Sequence, residues 1–140
     1  MAVKQLSVYL TNRAGSLVRV TDMLADAGIN LYSVCIADTE EYGILRVTTN
    51  DTDRAYEILK AEGIPVRVRN VVAFSCGDEV GGLSKVLRYL DEADINIEYM
   101  YSIINSEKDK AYMIMRVDDF EKAEGVLRLK NVETLSEDKL

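Results

Sequence analysis

The chain repeats itself. Displaced by 66 positions, Gly15 falls on Gly81, Leu17 on Leu83, Val20 on Val86, Leu24 on Leu90, Ala27 on Ala93, Ile29 on Ile95 and Asn30 on Asn96. That is seven identities in the sixteen pairs from Gly15 to Asn30, where chance gives about one. The register resumes after an indel: Leu45-Arg46-Val47 matches Met115-Arg116-Val117, and Asp51…Ala55…Ile58-Leu59 matches Asp119…Ala123…Val126-Leu127. A chain of 140 residues is therefore expected to form two domains of about half that length, 1–70 and 71–140. The join, Val66 to Phe74, reads as nearly continuous strand with no Gly/Ser or Pro-rich tether. The units are expected to pack rigidly together.

Periodicity supplies the element order. Leu6, Val8 and Leu10 alternate with Gln5, Ser7 and Tyr9, the pattern of a half-buried strand. Leu17, Val20, Leu24 and Ala27 then follow helical spacing, with Arg19, Asp22 and Asp26 outside and Gly28 as the left-handed stop. Strands are expected over 29–37 and 42–48, with a hairpin turn at Asp38-Thr39-Glu40-Glu41. Asp51 or Thr52 caps a second helix ending at Gly63, and 64–69 is a fourth strand with Pro65 at its start. The second unit repeats this order over 71–76, 83–93, 95–104, 110–117, 119–130 and 132–135. The fold class is α+β: two ferredoxin-like β-α-β-β-α-β units side by side, as an eight-stranded antiparallel sheet with four helices on one face.

Composition removes whole chemistries. The chain has no histidine, and its two cysteines, Cys35 and Cys76, lie far apart in strand-like contexts. Metal sites of the usual Cys/His kinds and His-dependent catalysis are excluded, and the thiols read as small buried hydrophobes. A net charge of −7 argues against a nucleic-acid partner. No apolar run approaches a membrane span, and Met1 to Gln5 shows no signal-peptide stretch. A cytoplasmic protein without cofactor or metal is expected.

At the first strand-to-helix turn stand Asn12-Arg13-Ala14-Gly15-Ser16-Leu17, followed by Gly28-Ile29-Asn30-Leu31. On a β-α-β-β-α-β frame this resembles the ACT domain, a small amino-acid-binding regulatory module. The family pattern is Asn-x-Pro-Gly plus an aliphatic residue, then Gly-Ile/Val-Asn-Ile. Here Ala14 replaces the proline. The second unit reads Asp78-Glu79-Val80-Gly81-Gly82-Leu83 and Asp94-Ile95-Asn96-Ile97. It departs further, at Asp78, Val80 and Asp94. The whole chain is similar to stand-alone prokaryotic tandem-ACT proteins, which carry no catalytic domain.

A glycine turn feeding a helix leaves the first helical N–H groups pointing outward at the positive end of the helix dipole, a natural seat for a carboxylate. Gly15 and Gly81 allow positive φ and close approach of a ligand. Asn12 can donate and accept, and Asp78 can accept from an ammonium group. A free amino acid complements both features. The resemblance further implies effectors at the seam between units, on the first loop of one and the second strand of the other. One pocket would then use Asn12, Arg13, Ala14, Gly15, Ser16 and Leu17 with Asn96. The other would use Asp78, Glu79, Val80, Gly81, Gly82 and Leu83 with Asn30. The pockets are expected to differ, because residues 1–70 carry a net charge of −1 and residues 71–140 carry −6.

Tyr32, Tyr99, Tyr101 and Tyr112 lie on expected strands, as ligand pocket or as sheet surface. Met100, Met113 and Met115 suit a core or subunit interface, and Arg46 and Arg116 a structural ion pair. The leading function is a non-catalytic sensor of a free amino acid, a homodimer in the family's manner. It would pass its signal by population shift to a partner enzyme or transporter, such as one of amino-acid or aryl-acid metabolism. The alternatives are a structural interaction module without ligand, a small acylphosphatase-like hydrolase using Arg13, Gly15 and Asn30, and an RNA-recognition module.

Overall fold

The computed structural model describes residues 2–11, 13–38, 42–77, 79–103 and 112–140. They form β1 (Val3–Thr11), α1 (Ser16–Asp26), β2 (Leu31–Asp38), β3 (Tyr42–Thr49), α2 (Thr52–Ala61), β4 (Val66–Ser75), α3 (Gly82–Glu92), β5 (Ile97–Ser102), β6 (Tyr112–Val117), α4 (Phe120–Leu129) and β7 (Thr134–Leu135). A short 3₁₀ turn, Glu137–Lys139, follows. Asn12, Asp78, the tip of the first hairpin and part of the expected 95–104 and 110–117 strands lie outside the described residues. The eight expected strands are seven among the described residues. The reason is that the expected 64–69 and 71–76 are one strand, β4, with no glycine or proline to break it.

The chain divides into two compact units, Lys4–Arg69 and Asn70–Leu140, the second also taking in the residues before Lys4. In the first, the strand order is β2-β3-β1-β4. β3 pairs antiparallel with β1 (Leu6 opposite Val47, Thr11 opposite Tyr42) and with β2 (Val34 opposite Val47, Asp38 opposite Gly43). In the second, β4 lies between β6 and β7, and β5 is outside β6. Both are the ferredoxin-like order that the sequence implied.

Each unit has its own core. Leu6, Val8, Leu10, Leu45 and Val47 of the first meet Val20 and Leu24 of α1 and Ala55 and Leu59 of α2. Val72, Phe74, Met115 and Val117 of the second meet Val86, Leu90, Ala123 and Leu127. So both helices of each unit sit on one face of its strands. The opposite faces are buried too. Gln5, Ser7, Ser33 and Thr48 are covered in the first unit, with Ser33 Oγ 2.6 Å from Thr48 Oγ1. Tyr101, Tyr112 and Ile114 are covered in the second. β1 is thus buried on both faces rather than half-buried, and hydroxyl pairing meets the cost of enclosing polar side chains.

All four helices end alike. Ile29 N–H donates to the Leu24 carbonyl and Gly28 N–H to that of Ala25, both at 2.9 Å. Ile64 and Gly63, Ile95 and Asp94, and Val132 and Asn131 repeat this on Leu59 and Lys60, Leu90 and Asp91, and Leu127 and Arg128. This Schellman closure needs a left-handed residue, at φ 74° and 73° for Gly28 and Gly63. The second unit puts Asp94 (φ 56°) and Asn131 (φ 57°) there. The family glycine missing at 94 is therefore missing from the residue but not from the backbone shape.

Candidate functional site

The two strand-to-helix turns are built the same way. Ser16 N–H donates to the Arg13 carbonyl at 3.3 Å, and Gly82 N–H to that of Glu79 at 3.1 Å. Gly15 and Gly81 hold the cap positions of α1 and α3 at φ 89° and 84°. By contrast, α2 and α4 are capped by Asp51 and Asp119, whose carboxylates accept from Arg54 N–H and Lys122 N–H at 3.2 and 3.1 Å. Of the two residues expected to cap α2, Asp51 does so, and Thr52 is buried in the first turn. The helices with glycine in place of an acceptor are the two on the candidate turns.

Space beside the turns differs from residue to residue. A Cβ added at Gly15 or Gly81 would meet nothing within 4 Å, so both backbones are open to a ligand. A Cβ at Gly82 would stand 2.2 Å from the Cys76 carbonyl oxygen. Gly82 is buried, and its constraint is close packing. Arg13, Ala14, Glu79 and Val80 are exposed, and Ser16 and Leu83 are half-buried. Thr11 Oγ1 and Ser16 Oγ lie 3.1 Å apart across the first turn. Leu17, expected inside with Val20 and Leu24, is instead 40% exposed.

The first turn stands between two clefts. Toward the β2–β3 side is one of about 290 Å³, lined by Leu10, Thr11, Arg13, Ser16, Leu17, Ile36 and Gly43. Toward β4 is one of about 610 Å³, where Arg13 to Ser16 face Arg19, Glu62, Gly63 and Pro65 over Leu10, Val20 and Ile64. The second turn has a cleft of about 280 Å³ toward its own last strand, with Glu79, Gly82, Lys85, Lys130 and Glu133 around Cys76, Val86 and Val132. Glu62, Lys85 and Lys130 were not singled out in the sequence, and Arg19 was read only as an outward helix residue. Arg19 and Lys85 had a signal, since both fall on matched positions of the repeat.

Asn30 and Asn96 directly precede β2 and β5. In the first unit the register puts Leu31 opposite Thr49, while Asp38 at the other end of β2 is opposite Gly43, beside Tyr42 and Thr11. Within its own unit Asn30 thus lies at the far end of the sheet from the Arg13 turn, and the structure does not bring the two together. Its backbone is engaged by Asn50, and that of Asn96 by Asp118. Tyr101 and Tyr112 are buried and Met115 is core, as the core reading of the methionines expects. Arg116 is structural, its Nε 3.3 Å from Glu98 Oε2 and its Nη1 3.0 Å from the Asn70 carbonyl.

The family model "ACT domain pair" matches residues 1–140. The chain is similar to the crystal structure of protein BT0572 from Bacteroides thetaiotaomicron, at 40% identity over 99% of this chain and 95% of that one, with a TM-score of 0.92. It shares its fold with the ligand-free regulatory subunit of aspartate kinase from Thermus thermophilus, at 18% identity over 93% and 91% of the chains and a TM-score of 0.68. The corresponding Thermus flavus subunit gives 17% identity over 89% and 88%, with a TM-score of 0.64. No curated protein matches the chain. Among the described residues no helix is long and apolar enough to cross a membrane. Two ferredoxin-like units, matched turn for turn and covered end to end by one family model, place this chain in the ACT domain pair family.

Proposed function

We propose that the protein is a non-catalytic cytoplasmic regulator that binds a free amino acid at the Arg13–Leu17 turn. The observation that carries this is the glycine cap of α1. Gly15 opens the helix at φ 89° with empty space beside it, and Arg13 flanks it. The outward N–H groups and the guanidinium receive the carboxylate, with Asn12 and Ser16 as neighbouring polar groups. The side chain lies in the cleft formed by Leu17, Ile36 and Gly43. Asp78 to Leu83 form the weaker site, because Glu79 stands where the first unit has Arg13.

The same cleft supports a homodimer. Among the described residues β2 pairs with β3 alone, leaving its outer edge open. Val34 and Ile36, opposite the buried Val47 and Leu45, are 48% and 52% exposed. The second unit has Met100 and Ser102 at the matched positions. An open edge with an apolar face invites a second strand. Two β2 strands paired antiparallel about a two-fold axis bring the Asn30 end of one copy to the Ile36 end of the other. The second-strand asparagine that the family pattern asks for then arrives from the partner copy.

Ligand binding shifts the balance between two packings of this assembly, and a metabolic enzyme or transporter reads the result. A thermal-shift screen against the twenty amino acids tests the proposal. One or more should raise the melting temperature in a concentration-dependent way. No shift for any of them at millimolar concentration overturns it.

A further inference from the structure

The larger cleft beside α1 opens on the β4 side of the turn; it shares Arg13 and Ser16 with the pocket proposed above but has none of Leu17, Ile36 and Gly43. Its floor is Leu10, Val20 and Ile64, all buried, and its rim carries Arg13, Arg19 and Glu62. At about 610 Å³ it lies inside the usual range of ligand pockets, roughly 300–1,000 Å³. The second unit builds the same cleft from repeat-matched residues. Cys76, Val86 and Val132 replace the floor, and Glu79, Lys85 and Lys130 the rim. The floor stays apolar in both and the cation stays at Arg19 and Lys85. The other two rim charges are reversed, Arg13 becoming Glu79 and Glu62 becoming Lys130, and Glu133 adds a second acid where the first unit has Pro65.

We infer that the first-unit cleft is a second binding site, for a small monocarboxylate with an apolar body, and that Glu79 closes the matched cleft of the second unit to the same ligand. Arg19 and Glu62 stand 3.8 Å apart, their side chains 61% and 58% exposed. So exposed a pair is held only weakly. A carboxylate that meets the guanidinium in bidentate fashion displaces it. Arg13 on the opposite rim adds attraction, and the apolar body covers the Leu10, Val20 and Ile64 floor. In the second unit the carboxylate at position 79 repels the ligand's own.

The test is an NMR titration of the amide spectrum with 3-phenylpropionate, which has a carboxylate and an apolar body but no ammonium group. The Arg19, Gly63 and Ile64 amides should shift and saturate at one equivalent, while those of Lys85, Asn131 and Val132 stay still. Arg19→Glu should weaken binding about tenfold or more, and Glu62→Gln should strengthen it. Glu79→Arg should make the Asn131 and Val132 amides respond, raising the stoichiometry to two. Ile36→Arg, in the other cleft, should leave the titration unchanged, so this site and the amino-acid site can fail separately. The inference is overturned if Gly63 and Ile64 show no saturable shift, if both wild-type clefts respond alike, or if Arg19→Glu has no effect. Loss of binding in Ile36→Arg overturns it as well.

Discussion

Asn30 and Asn50 hold each other by two hydrogen bonds: the Asn30 N–H donates to Asn50 Oδ1 at 2.9 Å, and the Asn50 N–H to the Asn30 carbonyl at 3.2 Å. Asn96 and Asp118 do the same at 3.0 and 3.1 Å. The clasp ties the start of the second strand to the end of the third in each unit. It requires a side-chain acceptor at 50 and 118 and only backbone from 30 and 96. Asn50→Ala should therefore cost about 1 kcal/mol, read by urea denaturation, while Asn50→Asp and Asp118→Asn stay within a few tenths. Equal loss in the alanine and the acidic variants would show that the acceptor is not what matters.

The left-handed helix stops give a second test. Asp94 and Asn131 hold a conformation that costs an L-residue energy and glycine none. Asp94→Gly and Asn131→Gly should each stabilise the fold by about 0.5–1 kcal/mol, after the entropy that glycine adds to the unfolded chain. Gly28→Asp and Gly63→Asn should destabilise it by a similar amount. The midpoint of denaturant unfolding decides between them.

Adjacent glycines at the second turn should answer differently. Gly81 is constrained by its φ of 84° alone, whereas a Cβ at Gly82 would overlap the Cys76 carbonyl oxygen. Gly81→Ala should cost about 1–2 kcal/mol. Gly82→Ala should cost more than that, because a backbone carbonyl of the core-bound β4 end must move. A larger loss at Gly81 than at Gly82 would contradict the packing assigned to Gly82.

The element order and the helix-facing cores were legible because their periods are strong and occur twice: Val20 and Leu24 return as Val86 and Leu90 in the same role. The turns were legible through their glycines. What escaped was non-local. Gln5 and Ser7 alternate with apolar residues as exposed positions do, yet are buried, and polarity alone does not reveal which second faces are covered. The join at Val66 to Phe74 read as nearly continuous strand and is one, β4; what misled was the end of the repeat, which invited a boundary at Asn70 where the backbone needs none. Arg19 and Glu62 escaped because they are 43 positions apart in a chain where charged residues on helix surfaces are ordinary, and only the fold makes them neighbours across a cleft.

Ile36 couples two expectations. Its side chain is half-exposed on the open edge of β2 and also lines the cleft beside Leu17. Ile36→Arg places a charge where two copies would meet, and burying it unpaired costs several kcal/mol, enough to split a dimer. Sedimentation should therefore show a monomer at concentrations where the wild-type chain is dimeric, with the circular dichroism spectrum unchanged. Because Asn30 of the second copy is proposed to complete the amino-acid site, the thermal shift given by the effective amino acid should vanish in the same variant. Ser102→Arg, at the matched position of the second unit, should alter neither. If Ile36→Arg remains dimeric while Ser102→Arg dissociates, the interface lies on the second unit. If Ile36→Arg is monomeric yet still binds the amino acid, the site is complete within one chain and the cross-copy asparagine plays no part in it.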